Sequence, residues 1–338
     1  MIKVGIIGFG YWGPNIARNF QENSGLELVG IAELDENRRA IAKQKYPNVH
    51  IYEDATSLFK ETSIDAVAII TPVSTHFELA KNALISGMHV LLEKPMTSSV
   101  AEAEGLINLA EQKNLTLMVD HTFIYTPAVR KIKEVLDKKG LGELYYFDSV
   151  RINFGLFQQD VNVVWDLAPH DISIMQYILN SQKVKSVSAQ GVSHTPSQLE
   201  NIAYVTVKFE NDFLAHFHVN WLAPMKIRRI LIGGNEKMLI FDDGQPSEKI
   251  KIYDKGITVS KNNRETLYKT LIQYRIGDVH IPNISNTEAL KIETNHFVEC
   301  INTGNRSDSD GESGLYVVKI LELASRSLKS GGKVISAD

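Results

Sequence analysis

The sequence predicts an α/β Rossmann domain followed by an α+β domain with a large, open, mainly antiparallel sheet. In residues 1–120, apolar runs alternate with helical patterns of about ten to fifteen residues, a rhythm typical of βαβ units and a parallel sheet. Beyond residue 120, strand-like runs follow one another on short polar turns, which indicates antiparallel pairing. This change of rhythm divides the chain into domains of 1–120 and 121–338.

Length and composition agree with two domains and argue against a nucleic-acid-binding or membrane protein. The chain has 338 residues, and domains usually run to about 100–200. A formal net charge of −4 argues against nucleic acid or a membrane surface as partner, since both usually need a basic face. The single cysteine, Cys300, lies in an apolar pattern, so we expect a buried thiol and a reducing compartment. The chain enters a strand at residue 2 and lacks an apolar run near the ~18 residues of a membrane span, so we expect a cytoplasmic protein.

In the first domain, strands and helices are expected to alternate. The strands are predicted to be continuous apolar runs, as in a sheet covered on both faces. They are Ile2–Ile7, Leu28–Ala32, Asp65–Ile70, His89–Leu92 and Leu115–Val119, and the helices are a pattern through Ile16, Ala17 and Phe20, then Glu36–Lys45, Phe77–Ile85 and Val100–Gln112.

In the second domain, five strand-like runs come between helices. The helices are predicted at Ala128–Lys138, around Asp166–Leu179, and near Glu288–Thr303 and Glu312–Leu328. A long strand, Leu144–Asn153, precedes the second helix, and Val184–Val192, Ala203–Phe209, Phe213–Trp221, Ile227–Ile232 and Lys237–Phe241 follow it.

A glycine-rich loop follows the first strand directly and opens a helix, which is the setting of a dinucleotide-binding turn. The first glycine allows the tight turn, the second lets the backbone approach the pyrophosphate, and the third lets helix and strand pack closely. The helix N-terminus then faces the phosphate. The alternative is an ordinary structural turn. The loop residues that we predict to bind cofactor are Gly8, Phe9, Gly10, Tyr11, Trp12 and Gly13.

An acid at the end of the second strand indicates which dinucleotide is bound. Glu33 lies at about the expected distance, and Asp35 follows closely. A carboxylate here accepts from the ribose hydroxyls and repels a 2′-phosphate, which favours NAD. Arg38 and Arg39 could hold a 2′-phosphate, so NADP is not excluded.

Two loops at the carboxyl ends of strands should line the cofactor crevice, because ligands bind there in open α/β sheets. The first contains Thr71, Pro72 and His76, although Ser74 or Thr75 could simply cap the next helix. The second is Glu93-Lys94-Pro95. Lys94 could donate to the substrate oxygen that becomes a carbonyl; its alternative is a surface lysine in a turn.

Asp166 and His170 are four residues apart and could share a helix face. A carboxylate that orients an imidazole would suit proton removal from a hydroxyl during hydride loss. Pro169 weakens this hypothesis, because proline disfavours a helix interior. Asp166 could instead cap the helix, with His170 satisfied by its surroundings.

No metal site is predicted. His216 and His218 alternate on one strand, but cysteines or acids at ligand spacing do not complete a site, so strand packing explains them better. The sequence has neither a Gly-x-Ser-x-Gly elbow nor a Walker loop, so a hydrolase or kinase is not predicted.

Together these segments resemble the Gfo/Idh/MocA family of oxidoreductases over nearly the whole chain. The resemblance rests on GFGYWG, TPVSTH, EKP, DLAPHD and the ending HFVECINTGNRSDSDGESGLYVVKILELASRSLKSG. It implies an NAD-binding domain at 1–120 and a substrate-binding and oligomerisation domain at 121–338, whose sheet makes a homodimer or homotetramer. It also implies a catalytic group of Lys94, Asp166 and His170. The histidine would be the acid/base, the lysine would polarise the substrate oxygen, and the aspartate would orient the histidine.

The stretches SVRINFGLFQQDVNVVWDLAPHDISIMQYIL and DHTFIYTPAVRKI look like the subgroup that oxidises the 3-hydroxyl of a UDP-N-acetylated hexosamine or its uronate. This implies a nucleotide-sugar substrate, with Tyr125, Arg151 and Asn153 as candidate contacts. The diphosphate of such a substrate calls for basic side chains, and Arg151, Lys226, Arg228 and Arg229 are candidates at strand positions. The alternatives are an unactivated polyol or sugar as substrate, and a non-catalytic dinucleotide-binding regulator.

Overall fold

A computed structural model describes residues 1–61, 63–155, 160–180, 182–196, 198–259, 272–275 and 277–337. The chain divides into two compact units. The first contains Met1–Thr126 and Thr287–Glu322, and the second contains Pro127–Asn286 and Leu323–Asp338. This grouping differs from a single division at residue 120, because a C-terminal segment joins the N-terminal sheet.

The first unit is built on a six-stranded sheet in the order β3-β2-β1-β4-β5-β6. Every pair in this sheet is parallel, as the alternation of strands and helices predicted. The strands are β1 (Ile2–Ile7), β2 (Leu26–Ala32), β3 (His50–Tyr52), β4 (Ala66–Ile69), β5 (His89–Glu93) and β6 (Leu117–Asp120). The helices are α1 (Gly13–Glu22), α2 (Glu36–Lys45), α3 (Ala55–Phe59), α4 (His76–Ile85), α5 (Val100–Lys113) and α8 (Ala289–Thr303), and 3-10 turns lie at Val73–Thr75 and Thr122–Tyr125.

The central strands of this sheet are apolar because both faces are covered. All four residues of β4 are fully buried, and the three central residues of β5 are too. The sequence did not indicate β3 or α3. β3 is three residues long with partly exposed side chains, so it has no apolar run by which to recognise it.

The second unit is built on a nine-stranded sheet in the order β16-β13-β12-β11-β7-β10-β9-β8-β17. It is mainly antiparallel, as predicted, but β7 and β10 pair in parallel. The strands are β7 (Leu144–Phe154), β8 (Val184–Val192), β9 (Ile202–Phe209), β10 (Leu214–Asn220), β11 (Leu222–Gly234), β12 (Met238–Asp242), β13 (Ile250–Tyr253), β16 (Val279–His280) and β17 (Ile335–Ser336), with a separate pair β14 (Gly256–Val259) and β15 (Ile272–Arg275). Its helices are α6 (Pro127–Asp137) and α7 (Val163–Leu179), and α9 (Gly311–Lys329) enters this unit at Leu323.

Helix α7 contacts one face of the nine-stranded sheet, which we call the inner face. Ser149 and Arg151 of β7 both bond to Asp171 of this helix, so the odd-numbered residues of central β7 define the inner face. Side chains alternate along a strand, so Val150 lies on the opposite, outer face. The outer face also carries Tyr204 and Leu214, which are exposed.

The start of α7 corrects one prediction. The helix begins at Val163, three residues before the expected position, and Asn162 is its cap. The Asn162 side-chain oxygen accepts from the backbone N–H groups of Val164 and Trp165. Asp166 therefore lies inside the first turns rather than capping them, and the helix continues through Pro169.

Over the described ranges, no helix is both long enough and apolar enough to cross a lipid bilayer.

Candidate active site

Two of the loop glycines are required by the protein itself. Gly8 has φ +94°, and a Cβ atom there would collide with the carbonyl oxygen of Ile70. A Cβ on Gly13 would lie 2.6 Å from the carbonyl oxygen of Gly8. These contacts let β1 turn sharply into α1 and keep the start of the helix against the strand.

The surroundings of Gly10 differ from those of the other two glycines, and they indicate whether the loop fits a dinucleotide. A Cβ there would meet only the Arg38 guanidinium, with Nη1 at 3.3 Å, and that side chain is flexible. The fold itself gives little reason for glycine at this position. Close approach of a pyrophosphate to the backbone gives that reason, so the loop fits the dinucleotide.

Glu33 is buried at the carboxyl end of β2, and its carboxylate holds the glycine loop. Its Oε2 accepts from the backbone N–H of Phe9 at 2.5 Å, and its Oε1 accepts from that of Asp35 at 2.9 Å. Each oxygen has further lone pairs that ribose hydroxyls can use. Arg39 donates to the backbone carbonyls of Glu33 and Leu34, so it is already engaged, whereas Arg38 lies beside Gly10.

The two loops after β4 and β5 are joined through His76, which is fully buried. Its Nδ1 lies 2.9 Å from the carbonyl oxygen of Pro95, and its Nε2 lies 2.8 Å from that of Thr71. Burial lowers the pKa of His76, although both carbonyls act in the opposite direction. His76 therefore fixes the Glu93-Lys94-Pro95 turn from behind. Thr75 occupies the cap position of α4, but its hydroxyl donates to the Pro72 carbonyl instead.

Lys94 follows β5 directly, and the residue beside it was missed by the sequence analysis. Glu93 pairs with Asp120 in the β5–β6 register, so His121 comes level with Lys94 at the same sheet edge. His121 is buried, and neither ring nitrogen has a hydrogen-bond partner within the described part of the chain. Burial, reinforced by the positive charge of Lys94, lowers the pKa of His121 to about 3. The only available signal was a histidine directly after a predicted strand.

A second polar group at this edge also escaped the sequence analysis. Asp120 accepts from Trp12 Nε1 at 2.9 Å and from the Thr122 hydroxyl at 2.5 Å, which ties the glycine loop to β6. Glu293 of α8 is fully buried against it. Burial and the neighbouring carboxylate of Asp120 raise the pKa of Glu293 well above its usual value. The sequence could not place α8 here, because it lies far away along the chain.

In the second unit, Asp166 and His170 lie one turn apart on the continuous helix α7. The Asp166 Oδ2 accepts from Trp221 Nε1 at 2.8 Å, which fixes the carboxylate at the β10–β11 junction. His170 is partly exposed. The predicted sharing of a helix face is thus possible despite Pro169.

The three candidate substrate contacts have different surroundings. Arg151 is buried and ion-paired with Asp171, and Tyr125 is buried and bonded to Ser307 and Ser309. Both side chains therefore have partners inside the protein. Asn153 is partly exposed near the end of β7. Their assignment as substrate contacts stays a prediction.

A metal centre finds no support in the described residues, where no group of three histidines, cysteines or acids has a suitable arrangement. His216 lies 3.0 Å from the Thr206 hydroxyl, and Tyr204 stacks on both His216 and His218. Strand packing accounts for this pair. Cys300 is buried, and burial raises the pKa of its thiol to about 11.

Comparison with protein families identifies the chain. Residues 2–121 match the model of an oxidoreductase family with an NAD-binding Rossmann fold, and residues 129–240 match the Gfo/Idh/MocA C-terminal domain. The chain belongs to the Gfo/Idh/MocA family. It is an oxidoreductase whose cofactor is NAD, and the predicted family, fold class and cofactor are confirmed.

Two similar proteins show how far the similarity extends. UDP-N-acetylglucosamine 3-dehydrogenase of Acidithiobacillus ferrooxidans is 29% identical over 233 residues, 68% of this chain and 71% of that protein. D-apiose dehydrogenase of Rhizobium rhizogenes is 22% identical over 98% of this chain and 97% of its own. A solved structure of the Acidithiobacillus enzyme superimposes with a TM-score of 0.82 at 23% identity, covering 98% of both chains, which shows the shared fold.

Proposed function

We propose that this oxidoreductase uses NAD to oxidise the 3-hydroxyl of a UDP-activated amino sugar, UDP-N-acetylglucosamine or its uronate, to a 3-keto sugar. The observation that carries the proposal is the similarity to a UDP-N-acetylglucosamine 3-dehydrogenase over two thirds of the chain. The resemblance of the segments around Asp166 and Tyr125 to the same subgroup agrees with it.

The chemistry requires that a hydride leave carbon 3 of the sugar and a proton leave its hydroxyl, so that a carbonyl forms. When bound, NAD would supply the hydride acceptor. His170 takes the proton, and Asp166, held by Trp221, orients the imidazole for this step. Lys94 donates a hydrogen bond to the oxygen, which lowers the energy of the developing negative charge.

The cofactor is held by the loop residues 8–13, with Glu33 accepting from the ribose and the loops at Thr71-Pro72 and Glu93-Lys94 closing the crevice. His76 acts indirectly, because its ring contacts the carbonyls of Thr71 and Pro95. Arg38 beside Gly10 is the side chain that would decide whether NADP is also accepted.

The decisive experiment follows NADH formation by absorbance with four sugars in parallel: UDP-N-acetylglucosamine, its uronate, inositol and glucose. An aminotransferase that consumes the 3-keto product, or an oxidant of NADH, is coupled to draw the reaction forward. NADH formed only with a UDP-sugar supports the proposal. NADH formed only with inositol or glucose overturns the nucleotide-sugar assignment and leaves the dehydrogenase.

An unactivated sugar is the second candidate, favoured by the similarity to D-apiose dehydrogenase over nearly the full length of both chains. The same assay, extended to D-apiose, separates it from the first. A non-catalytic regulator, the remaining alternative from the sequence, is not proposed, because the chain belongs to an oxidoreductase family.

We also propose that the protein is cytoplasmic and forms a homodimer or homotetramer through the outer face of the nine-stranded sheet, where Tyr204 and Leu214 are exposed. Light scattering of the purified chain measures the assembly. A monomer at working concentration would overturn it.

A further inference from the structure

Five charged side chains form a row on the inner face of the nine-stranded sheet, within the second unit. Arg151 and Arg228 lie directly opposite each other on β7 and β11. Asp171 of α7 adjoins one end of this pair, and Asp243 adjoins the other, with Lys249 beyond it. The row therefore places three cations against two carboxylates.

Arg151 is fully engaged by its partner. Its Nη2 donates to Asp171 Oδ1 at 2.6 Å and its Nε donates to Asp171 Oδ2 at 3.1 Å, a two-point ion pair. The Ser149 hydroxyl donates to the same carboxylate at 2.5 Å. Both side chains are only 3–4% exposed, so this pair is structural and closed to a ligand.

Arg228 contacts Asp243 and reaches the surface. Its Nη1 lies 3.4 Å from Asp243 Oδ2, while Lys249 Nζ approaches the same carboxylate to 2.8 Å and also donates to the Asp243 carbonyl. The Arg228 side chain is 29% exposed. Burial and the adjacent Arg151 guanidinium lower the pKa of Arg228, whereas the carboxylates of Asp243 and Asp171 act in the opposite direction. An anion reaching this position would relieve the repulsion between the two guanidinium groups.

The location of Arg228 connects it to the reaction. It faces the same side of the sheet as α7, and its cross-strand neighbour Arg151 bonds to Asp171, the residue that follows His170. A guanidinium presents two parallel N–H groups that match the oxygens of a phosphate. We propose that Arg228 binds the diphosphate of the nucleotide-sugar and thereby selects activated over unactivated sugars. This inference rests on the function proposed above.

Arg306, between α8 and α9 in the first unit, provides a matched control. It forms an exposed ion pair with Glu111 at 3.3 Å, and its side chain is 73% exposed. Replacing Arg306 therefore removes the same charge without touching the inner face of the nine-stranded sheet.

The experiment compares wild type, Arg228→Met, Arg228→Lys and Arg306→Met. Calorimetry measures the affinity for UDP and for inorganic pyrophosphate, and titration with NAD checks that each variant is folded. Arg228→Met should weaken UDP about ten- to a hundredfold, the value of a hydrogen bond to a charged group. Arg228→Lys should bind UDP with an affinity between those of wild type and Arg228→Met, because lysine keeps the charge but not the two-point geometry. If Arg228→Met fails to fold, Arg228→Lys provides the test. Arg306→Met should bind UDP with the same affinity as wild type.

The outcomes separate this inference from the proposed function. Equal UDP affinity in wild type and Arg228→Met overturns the role of Arg228, as does a wild type that binds neither UDP nor pyrophosphate. If UDP-sugars are oxidised while Arg228→Met keeps full UDP affinity, the proposed function stands and the inference fails. If UDP binding is lost in Arg228→Met but the sugar panel shows no oxidation of a UDP-sugar, the anion site stands and the proposed reaction fails.

Discussion

At the scale of single residues, the three loop glycines serve different purposes. Gly8 and Gly13 are demanded by backbone contacts inside the protein, whereas Gly10 faces only the movable Arg38 side chain. Sequence reasoning assigned all three from one spacing pattern. The structure shows that a substitution at Gly10 tests ligand approach, while one at Gly13 tests folding.

Gly10→Ala should leave the melting temperature near that of wild type and weaken NAD about tenfold, because its Cβ would stand where the pyrophosphate approaches. Gly13→Ala should instead lower stability by about 1–3 kcal/mol, since its Cβ would lie 2.6 Å from the Gly8 carbonyl oxygen. Thermal melts and NAD titrations measure both. Unchanged NAD affinity in Gly10→Ala would mean that the pyrophosphate binds elsewhere.

Lys94→Ala should lower kcat by about 10²- to 10⁴-fold while NAD affinity is largely kept, because the lysine acts on the substrate oxygen rather than on the dinucleotide. Lys81→Ala, on the exposed side of α4, is the control and should match wild type. Steady-state kinetics and NAD titration give both quantities. Full activity in Lys94→Ala would show that the lysine takes no part in the chemistry.

At the scale of elements, helix α7 is joined to β7 by the buried Asp171–Arg151 pair. Asp171→Asn should destabilise the protein by about 3–5 kcal/mol, because it leaves a buried guanidinium without its counter-charge. Asp137→Asn breaks an exposed pair with Lys133 and should cost no more than about 1 kcal/mol. Denaturant midpoints measure the two. Equal effects would show that the inner-face pair contributes little to stability.

Elements with strong periodicity could be predicted from the sequence, and weak or proline-containing ones could not. Glu36–Lys45 and Val184–Val192 have the predicted bounds, because a polar helix and an alternating strand are locally encoded. The start of α7 was misplaced, because Pro169 argued for a helix beginning nearby. In the structure, Asn162 supplies the cap seven residues earlier.

In the candidate site too, locally encoded residues could be predicted from the sequence, and residues brought together by long-range packing could not. Residues carried by local patterns, such as the loop at 8–13 and Lys94, lie at the carboxyl edge of the parallel sheet as expected. Glu293 could not be found, because its meeting with Asp120 depends on α8 returning to the first unit. His121 was missed because its burial, with no hydrogen-bond partner among the described residues, is a property of the packed structure.

At the scale of the whole molecule, the chain passes from the first unit to the second and back before it ends in the second. Such long-range returns depend on which surfaces fit together and leave little trace in local periodicity. One consequence is that two buried titratable groups from distant segments, His121 and Glu293, lie in the same unit. Their pKa values are shifted in ways that make global stability depend on pH in opposite directions.

His121 has a folded pKa of about 3 against 6.5 in the unfolded chain, so the unfolded state binds the extra proton as pH falls. The contribution of His121 to the free energy of unfolding is fully present above pH 6.5. It is lost as pH falls below that value, by up to about 1.4 kcal/mol per pH unit. Glu293 has a raised pKa, so the folded state keeps a proton that the unfolded state releases above pH 4.5. The contribution of Glu293 to the free energy of unfolding is fully present below pH 4.5 and declines as pH rises toward the pKa of the folded state.

Difference profiles between variants and wild type isolate the two effects. The free energy of unfolding of Glu293→Gln minus that of wild type should be constant below pH 4.5 and rise above it, because glutamine has no proton to lose. For His121→Phe the difference should be constant above pH 6.5 and rise as pH falls below that value. Denaturant titrations across the pH range measure both. A flat profile for either variant would show that its group titrates alike in the folded and unfolded chain, and that its burial does not control the pH range over which the protein is stable.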